Sequence, residues 1–329
     1  MVLRFGTLGV AKITPRALVN PCIDEPRADV VAIAARDRAR AEVYARHAHI
    51  RHVLDDYQAV IDHPNVNAIY NPLPITAHKE WTLKALAAGK PVLCEKSFAA
   101  NAEEAQAMAD AAAAAHLVVM DAFHYRYHPV FIRAKEIYDS GVLGTIEQVS
   151  AAFHIPVTDP NDIRMHYAMG GGVTMDIGCY PISWIRHITG EEPAEVAARA
   201  EVGPPHVDLL LEAQVTFPSG VRGFTSGDMR PEAQFRADIE VVGSAGTLKV
   251  VNPIVPQNGH ALQLTVDGRS SSETLDRRPT YGYQLDAFIA AVEEGASMFT
   301  GPEDAVAQMR LIDRCYEAAG LPVRGLVDP

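Results

Sequence analysis

Two short motifs in the sequence carry side chains that could move a proton. Glu95 and Lys96 are adjacent, directly after the apolar run 91–94, and form an acid–ammonium pair. Asp176 and Tyr180 are four residues apart, so a helix would place both on one face. A phenol has a pKa of about 10 and acts as a general base only when a neighbouring cation lowers that pKa. Structural roles are the alternative: a loop salt bridge in the first motif and a buried acid on a capped helix in the second.

A third motif lies near the amino terminus, where the apolar run 3–8 is followed by Gly9-Val10-Ala11-Lys12-Ile13-Thr14. It is a reduced form of the G-x-G-x-x-G turn in which only the first glycine is kept. Small residues between a strand and a helix start let backbone N–H groups approach a pyrophosphate. The motif therefore predicts dinucleotide binding by Gly9, Ala11, Lys12 and Ile13.

The end of the second strand indicates which dinucleotide is bound. The apolar run 30–34 is followed by Ala35, Arg36, Asp37 and Arg38. A small residue followed by arginine suits a 2′-phosphate, because guanidinium pairs with phosphate through two charge-assisted hydrogen bonds. We therefore expect NADP rather than NAD, with Arg36 and Arg38 in its site. The alternative is that both arginines are solvated and Asp37 is a plain helix N-cap.

Two kinds of sheet must position these motifs. Up to about residue 122, short apolar strands alternate with helical stretches, which is typical of a parallel sheet covered by helices. Beyond it the strands are longer and alternate between polar and apolar residues, as in 146–154 and 207–217, whereas 267–279 reads as a polar surface loop. The sequence predicts an α/β protein with an N-terminal Rossmann domain (1–122) and a C-terminal α+β domain (123–329) built on an open, mostly antiparallel sheet.

Composition excludes several classes of protein. The chain has 329 residues and a formal net charge of −12, which repels nucleic acid. Its apolar runs are shorter than the roughly 20 residues that cross a bilayer, and its start lacks the apolar segment of a signal peptide. The four cysteines are far apart and show no metal-ligand spacing. We therefore expect a cytoplasmic protein with no metal, no nucleic-acid partner and no membrane association.

Together, the motifs resemble the Gfo/Idh/MocA oxidoreductase family over almost the whole chain. The run 70–74 followed by His78 resembles the family's loop after the third strand. The run 87–96 resembles its Glu-Lys-Pro signature, although Ser97 stands where the family has proline. Asp176 and Tyr180 resemble its Asp-x-x-x-His/Tyr pair. Tyrosine in that pair is similar to the branch that contains glucose-fructose oxidoreductase, NADP-dependent D-xylose dehydrogenase and dimeric dihydrodiol dehydrogenase.

The resemblance implies hydride transfer between a nicotinamide and the hydroxyl or carbonyl carbon of a sugar or polyol. It implies that Tyr180 is the general acid/base, that Lys96 lowers the pKa of Tyr180 and contacts the reacting oxygen, and that Asp176 orients the substrate hydroxyl or Lys96. Arg164, just before the glycine run, is expected to bind substrate, with a loop-stabilising ion pair as the alternative, and Tyr283 is a further candidate for the pocket. The cofactor would contact, besides the glycine turn and Arg36, the residues Pro72, Leu73, Pro74, His78, Glu95, Lys96 and Arg126.

Two other functions fit the same motifs. A trans-dihydrodiol or dicarbonyl oxidoreductase would use the same tyrosine and lysine with a more apolar pocket. A cofactor-binding sensor without turnover would keep the fold and need neither residue. We also expect a homodimer or homotetramer formed through the C-terminal sheet, with Leu209, Leu211 and Ala213 on the contact face.

Overall fold

The computed structural model describes residues 2–203 and 206–325, which form two compact units. The first unit contains the residues up to 124 together with 281–306, and the second contains 125–280 together with the residues from 307 onward. The sequence was divided once, after residue 122, whereas in the structure the segment 281–306 returns to the first unit.

A parallel sheet forms the centre of the first unit. Its strand order is β3-β2-β1-β4-β5-β6, and every neighbouring pair is parallel. The strands are short and nearly all their residues are buried, because helices cover both faces. They are β1 (Leu3–Leu8), β2 (Ala28–Ala34), β3 (His52–Val53), β4 (Ala68–Asn71), β5 (Val92–Cys94) and β6 (Val119–Asp121).

The sheet of the second unit has eight strands in the order β14-β13-β12-β11-β7-β10-β9-β8. All neighbours are antiparallel except β7 and β10, which are parallel. The predicted fold class is therefore confirmed. The strands are β7 (Ile146–His154), β8 (Glu195–Gly203), β9 (Val207–Thr216), β10 (Arg222–Asp228), β11 (Arg236–Gly243), β12 (Gly246–Val251), β13 (Ala261–Val266) and β14 (Arg269–Glu273).

Helices begin where the sequence supplies caps. Asp37 accepts a hydrogen bond from Arg40 N (3.1 Å), and Asn101 accepts one from Glu104 N (2.9 Å). The helices are α1 (Asn20–Asp24), α2 (Arg38–Ala48), α3 (Tyr57–Asp62), α4 (His78–Ala87), α5 (Ala102–Ala115), α6 (Pro129–Asp139), α7 (Cys179–Thr189), α8 (Thr280–Glu294) and α9 (Pro302–Ala318). In the described part of the chain no helix is both long and apolar enough to span a membrane.

Helix α7 is buried over its whole length against the sheet of the second unit. Its start approaches β10 closely: a Cβ on Gly227 would lie 2.9 Å from the Cα of Gly178. Only glycine on the strand allows this approach. The close contact fixes the point at which the chain enters α7, one residue before Tyr180.

Two expectations about the second sheet were wrong. The segment 267–279 contains the strand β14, joined to β13 through Asp267 and Gly268, which both have positive φ. An Asp-Gly pair between two strands signals a two-residue hairpin, but the serine-rich strand that follows carries little apolar pattern. Leu211 and Ala213 do not form an exposed contact face, since they are 3% and 2% exposed within this chain.

Candidate active site

Candidate site residues occur in both units, and each unit is described by itself. In the first, the glycine turn follows β1 as predicted. Gly9 has φ +93° and donates from its N–H to Ala34 O (2.7 Å). A Cβ there would lie 3.3 Å from Leu73 Cδ2, so glycine lets the turn pack against the loop after β4. The chain then enters a π-helical turn (Pro15–Val19). A strand, a positive-φ glycine and a helix start fit a dinucleotide phosphate; Ala11 and Ile13 are half-buried there and Lys12 is exposed.

The two arginines after β2 differ in their contacts. Arg38 binds Glu42 (3.1 Å) and Asp55, and it also contacts Val53 O. Arg36 is exposed and forms no salt bridge with the residues that the structure describes. The side chain of Asp37 is the N-cap of α2. Arg36 therefore has the guanidinium that is available to a phosphate, and Asp37 is already engaged.

Tyr57 is a residue of this region that the sequence did not single out. Its hydroxyl oxygen would lie 3.7 Å from a Cβ on Gly9, and burial raises its pKa while the charge of Arg36 opposes this rise. Its ring packs edge-on against Trp81, with centroids 5.1 Å apart. Tyr57 thus borders both the glycine turn and Arg36. Its only sequence signal is an N-cap aspartate one residue earlier.

Glu95 and Lys96 follow β5, at the edge of the sheet where ligands bind in such folds. Glu95 is 8% exposed and accepts a hydrogen bond from the Tyr70 hydroxyl (2.8 Å). Burial and the charge of Glu95 raise the pKa of Tyr281, whose ring lies 4.1 Å from that of His124. Lys96 is half-buried, and the Lys96–Ser97 peptide bond is cis.

Tyr281, at the start of α8, lies close enough to Glu95 to feel its charge, and the sequence did not single it out. The sequence indicated Tyr283 as a candidate for the pocket; it is half-buried, Tyr281 is 8% exposed, and both belong to the returning segment of the first unit. Nothing in the local pattern distinguishes the two tyrosines, since both are near the start of the same helix.

His78 is fully buried between two loops. Its Nε2 lies 2.8 Å from Leu73 O, and its Nδ1 lies 3.0 Å from Ser97 O and 3.3 Å from Phe98 O. Burial lowers the pKa of His78 to about 4, so the ring is neutral at physiological pH. His78 is 0% exposed, and its role in cofactor binding stays a prediction. Its ring lies between the loop 72–74 and the loop after β5, and as a neutral ring it donates a hydrogen bond from one nitrogen only.

Asp121, at the end of β6, is a second residue that sequence analysis missed. It is 1% exposed, and neither carboxyl oxygen has a hydrogen-bond partner among the described residues. Burial, then the charges of Asp304 and Glu95, raise its pKa well above the usual range, and Lys96 opposes this rise. Its strand pairs Asp121 with Cys94, directly before Glu95 and Lys96. The sequence signal that could have indicated Asp121 is a short apolar strand that ends in a single acidic residue.

In the second unit, Asp176 and Tyr180 follow the glycine run 170–172. Asp176 lies in a π-helical turn (Thr174–Gly178) that continues into α7, and Tyr180 lies at the start of α7. Tyr180 is 5% exposed and packs edge-on against Phe153, with centroids 5.6 Å apart. The predicted helical spacing is thus present, with the acid in a wider turn of a type that often marks functional sites.

Arg164 contacts Asp176 directly. Its Nε donates to Asp176 Oδ2, and its Nη1 donates to Asp162 (3.1 Å). Burial alone would lower the pKa of the Arg164 guanidinium. The charges of Asp176 and Asp162, and their hydrogen bonds, outweigh this effect, so the pKa is raised. The structure therefore brings Arg164 and Asp176 into contact, four residues before Tyr180 in the chain. Arg126 is half-buried, with its guanidinium 5.2 Å from the ring centroid of Phe131.

The first unit has a six-stranded parallel sheet with a glycine turn and an available arginine, and the second unit carries an acid–tyrosine pair. Together these features define a dinucleotide-dependent oxidoreductase. Comparison with known proteins identifies the family. The oxidoreductase family with an NAD-binding Rossmann fold matches residues 3–123, and the GFO/IDH/MocA C-terminal domain matches residues 131–249. The chain belongs to the Gfo/Idh/MocA family, and it is an NAD(P)-dependent oxidoreductase, as the sequence predicted.

Relatives match over nearly the whole length. The chain is 33% identical to D-xylose 1-dehydrogenase (NADP(+)) 2 from Haloferax volcanii, covering 96% of this chain and 97% of that one. It is 30% identical to dTDP-3,4-didehydro-2,6-dideoxy-alpha-D-glucose 3-reductase from Streptomyces antibioticus, with 96% and 97% covered. The structure is similar to that of a 3-ketoreductase from Actinomadura kijaniata in complex with NADP and TDP-benzene, with a TM-score of 0.89, 28% identity and 95% and 96% coverage.

Proposed function

We propose that this protein is an NADP-dependent dehydrogenase or reductase that acts on the hydroxyl or carbonyl carbon of a free sugar or polyol. The observation that carries the proposal is the ion pair between Arg164 and Asp176, one helical turn before the nearly buried Tyr180. This arrangement orients a carboxylate one helical turn from a phenol, which suits binding of a hydroxylated substrate and transfer of its proton.

Each residue has a role in the proposed reaction. Tyr180 exchanges a proton with the substrate oxygen; a phenol does so when a positive charge lowers its pKa, and the family resemblance gives that role to Lys96. Asp176, held by Arg164, accepts a hydrogen bond from a substrate hydroxyl. When bound, the nicotinamide supplies or accepts the hydride.

NADP is proposed over NAD from the side chains after β2. Arg36 is available, whereas a carboxylate that could bind the ribose 2′-hydroxyl is lacking there because the Asp37 side chain already caps α2. Arg38 is occupied by Glu42 and Asp55. The xylose dehydrogenase relative, whose name includes NADP, is consistent with this preference.

Charge favours an uncharged substrate over a nucleotide-linked sugar. The segment 158–176 carries Asp159, Asp162 and Asp176 against Arg164 alone, a net charge of −2 with its histidine neutral. Arg164 is already bound by two of these carboxylates. A diphosphate placed here would meet repulsion, and Arg164 is already engaged; a dihydrodiol has only two hydroxyls to donate, whereas a sugar or polyol has more. Free sugars and polyols have hydroxyls for such carboxylates.

The test combines cofactor titration with a substrate panel. Purified protein is titrated with NADPH and NADH, and turnover is then followed at the nicotinamide absorbance band with aldoses, polyols, a trans-dihydrodiol and a dTDP-linked sugar. We expect tighter binding of NADPH and turnover of at least one free sugar or polyol. Turnover of the dTDP-linked sugar alone would refute the substrate class, and NADPH binding without any turnover would favour a sensor.

A further inference from the structure

A buried ion pair lies beneath the glycine run of the second unit. Arg324 is 2% exposed and Asp208, on β9, is 0% exposed; Arg324 Nη2 lies 2.5 Å from Asp208 Oδ1. The guanidinium carbon is 4.2 Å from the ring centroid of Tyr167 and 4.6 Å from that of Tyr316. Arg324 is thus held by one carboxylate and two aromatic rings, an arrangement that lysine could not reproduce.

Asp208 also holds the glycine run. Its Oδ2 accepts a hydrogen bond from Thr174 N (2.9 Å), the first residue of the π-helical turn that contains Asp176. Gly172 has φ +131°, and a Cβ there would collide with Asp208 Oδ1 and lie 2.9 Å from Arg324 Nη2. The backbone at Gly172 therefore lies directly on the ion pair, and only glycine fits.

The same backbone is connected to Arg164 and Asp176. Gly172 N donates to Arg164 O (3.0 Å), and Asp176 N donates to Gly172 O (3.1 Å). The Arg164 side chain then binds Asp176. A displacement at Gly172 would therefore move both partners of the pair that the proposed mechanism uses.

Stability alone is a weak reason for such a pair. Burying two charges costs desolvation free energy, and apolar residues of similar volume are often as stable as a buried ion pair. What an apolar pair cannot provide is an oriented acceptor for Thr174 N together with a fixed guanidinium under Gly172. The directed contacts, rather than the burial, distinguish this pair from ordinary packing.

We propose that Arg324 is a positioning residue: through Asp208 it fixes the glycine run and thereby orients Asp176 and Tyr180 for the reaction. The inference rests on the proposed function only in assigning Asp176 and Tyr180 to substrate chemistry. The packing of Arg324 against the loop is independent of that assignment.

The test uses the full chain and the variant Arg324→Met, with Arg314→Met as its matched control. Arg314, also in the C-terminal region, donates to Pro193 O (2.6 Å) and Ala194 O (2.8 Å), and so ties a different loop. Assays are run well below the melting temperature of each variant. We expect Arg324→Met to lower kcat about tenfold or more, since small displacements of catalytic groups have effects of this size, with the NADPH Kd within about twofold of wild type.

Hydrogen–deuterium exchange supplies a readout that does not need activity. Peptides covering residues 164–178 should exchange faster in Arg324→Met, and not in Arg314→Met. If Arg324→Met does not fold, Arg324→Lys replaces it; it keeps the charge but loses the planar contact with the two rings, and we expect a reduction of about threefold or more in kcat.

Unchanged exchange over 164–178 would overturn the proposal whether or not a substrate is known. So would a kcat within about 1.5-fold of wild type in the folded variant. If the wild-type protein turns over no sugar or polyol, the proposed function fails, and the exchange measurement alone then decides whether Arg324 holds the loop.

Discussion

The two units position their site residues by different means. In the first unit, Gly9, Arg36 and Glu95 each lie within two residues of the end of a parallel strand. Parallel strands end at one edge of a sheet, so the order of strands along the sequence brings these loops together. The position of each residue therefore follows from a local pattern.

In the second unit the corresponding positions depend on contacts far apart in the sequence. Asp176 is bound by Arg164, and its backbone rests on the pair between Asp208 and Arg324, which are 116 residues apart. No local sequence pattern predicts such a contact. The comparison indicates that variants of the first unit should alter cofactor binding or loop stability, whereas variants of the second should alter turnover.

The largest effect is expected from Tyr180→Phe. Losing a general acid/base should lower kcat by about 10² or more, while the NADPH Kd stays within about twofold because the predicted cofactor residues are almost all in the first unit. Steady-state kinetics and fluorescence titration measure the two quantities. Tyr138→Phe, on α6 of the same unit, is the control and should leave both unchanged. A kcat for Tyr180→Phe within threefold of that control would remove Tyr180 from the mechanism.

Arg36→Ala tests whether a variant of the first unit alters cofactor binding, as the comparison of the two units predicts. The loss of a guanidinium bound to the 2′-phosphate should raise the NADPH Kd about tenfold or more and leave the NADH Kd almost unchanged. Arg38→Ala is the control, because Arg38 is engaged by Glu42 and Asp55. Equal losses for both cofactors, or a larger effect of Arg38→Ala, would contradict the assignment of the phosphate to Arg36.

His78 should make the loops of the first unit sensitive to acid. Burial lowers the pKa of His78 to about 4, below the usual value of about 6.5, so the unfolded chain takes up this proton first. The contribution of neutral His78 to the stability of the folded protein is complete above about pH 6.5, and it is lost as pH falls from about 6.5 towards 4. In His78→Gln, the difference in Tm between pH 7 and pH 4.5 should shrink by about 5 °C. Calorimetry of His47→Gln, which changes an exposed histidine of α2, provides the baseline; an equal reduction there would argue against His78.

The smallest effect is expected at Asp121. Its pKa is raised by burial, Asp304 and Glu95, so the folded protein holds this proton more tightly than the unfolded chain. The ionised Asp121 carboxylate therefore destabilises the folded protein as pH rises above the usual pKa range of carboxyl groups. Asp121→Asn should raise Tm by about 2 °C at pH 8 and by less at pH 5. An equal or lower Tm at pH 8 would show that the carboxylate is accommodated in the folded state.

Much of the first unit was predictable because its signals are local. The apolar run 3–8 forms β1 with these bounds, and Asp37 caps α2, as the alternative interpretation of that segment had it. The roles of His78 and Tyr281 were not predictable. An apolar strand pattern shows that a residue is near a sheet edge, but it does not show whether a side chain there faces a ligand or the backbone of another loop.

The sequence by itself determined the fold class and the family, and it supplied the groups proposed to do chemistry: Lys96, Arg36, Asp176 and Tyr180. Each is marked by strand periodicity, a glycine turn or helical spacing, and these depend on neighbours a few residues away. Tertiary structure decided which of these groups is available: Arg36 is exposed while Arg38 is paired, and Asp176 is held by Arg164. It also decided that Arg324 and Asp208 lie under Gly172. Burial and ion pairing result from packing between distant segments, and no local pattern contains that information.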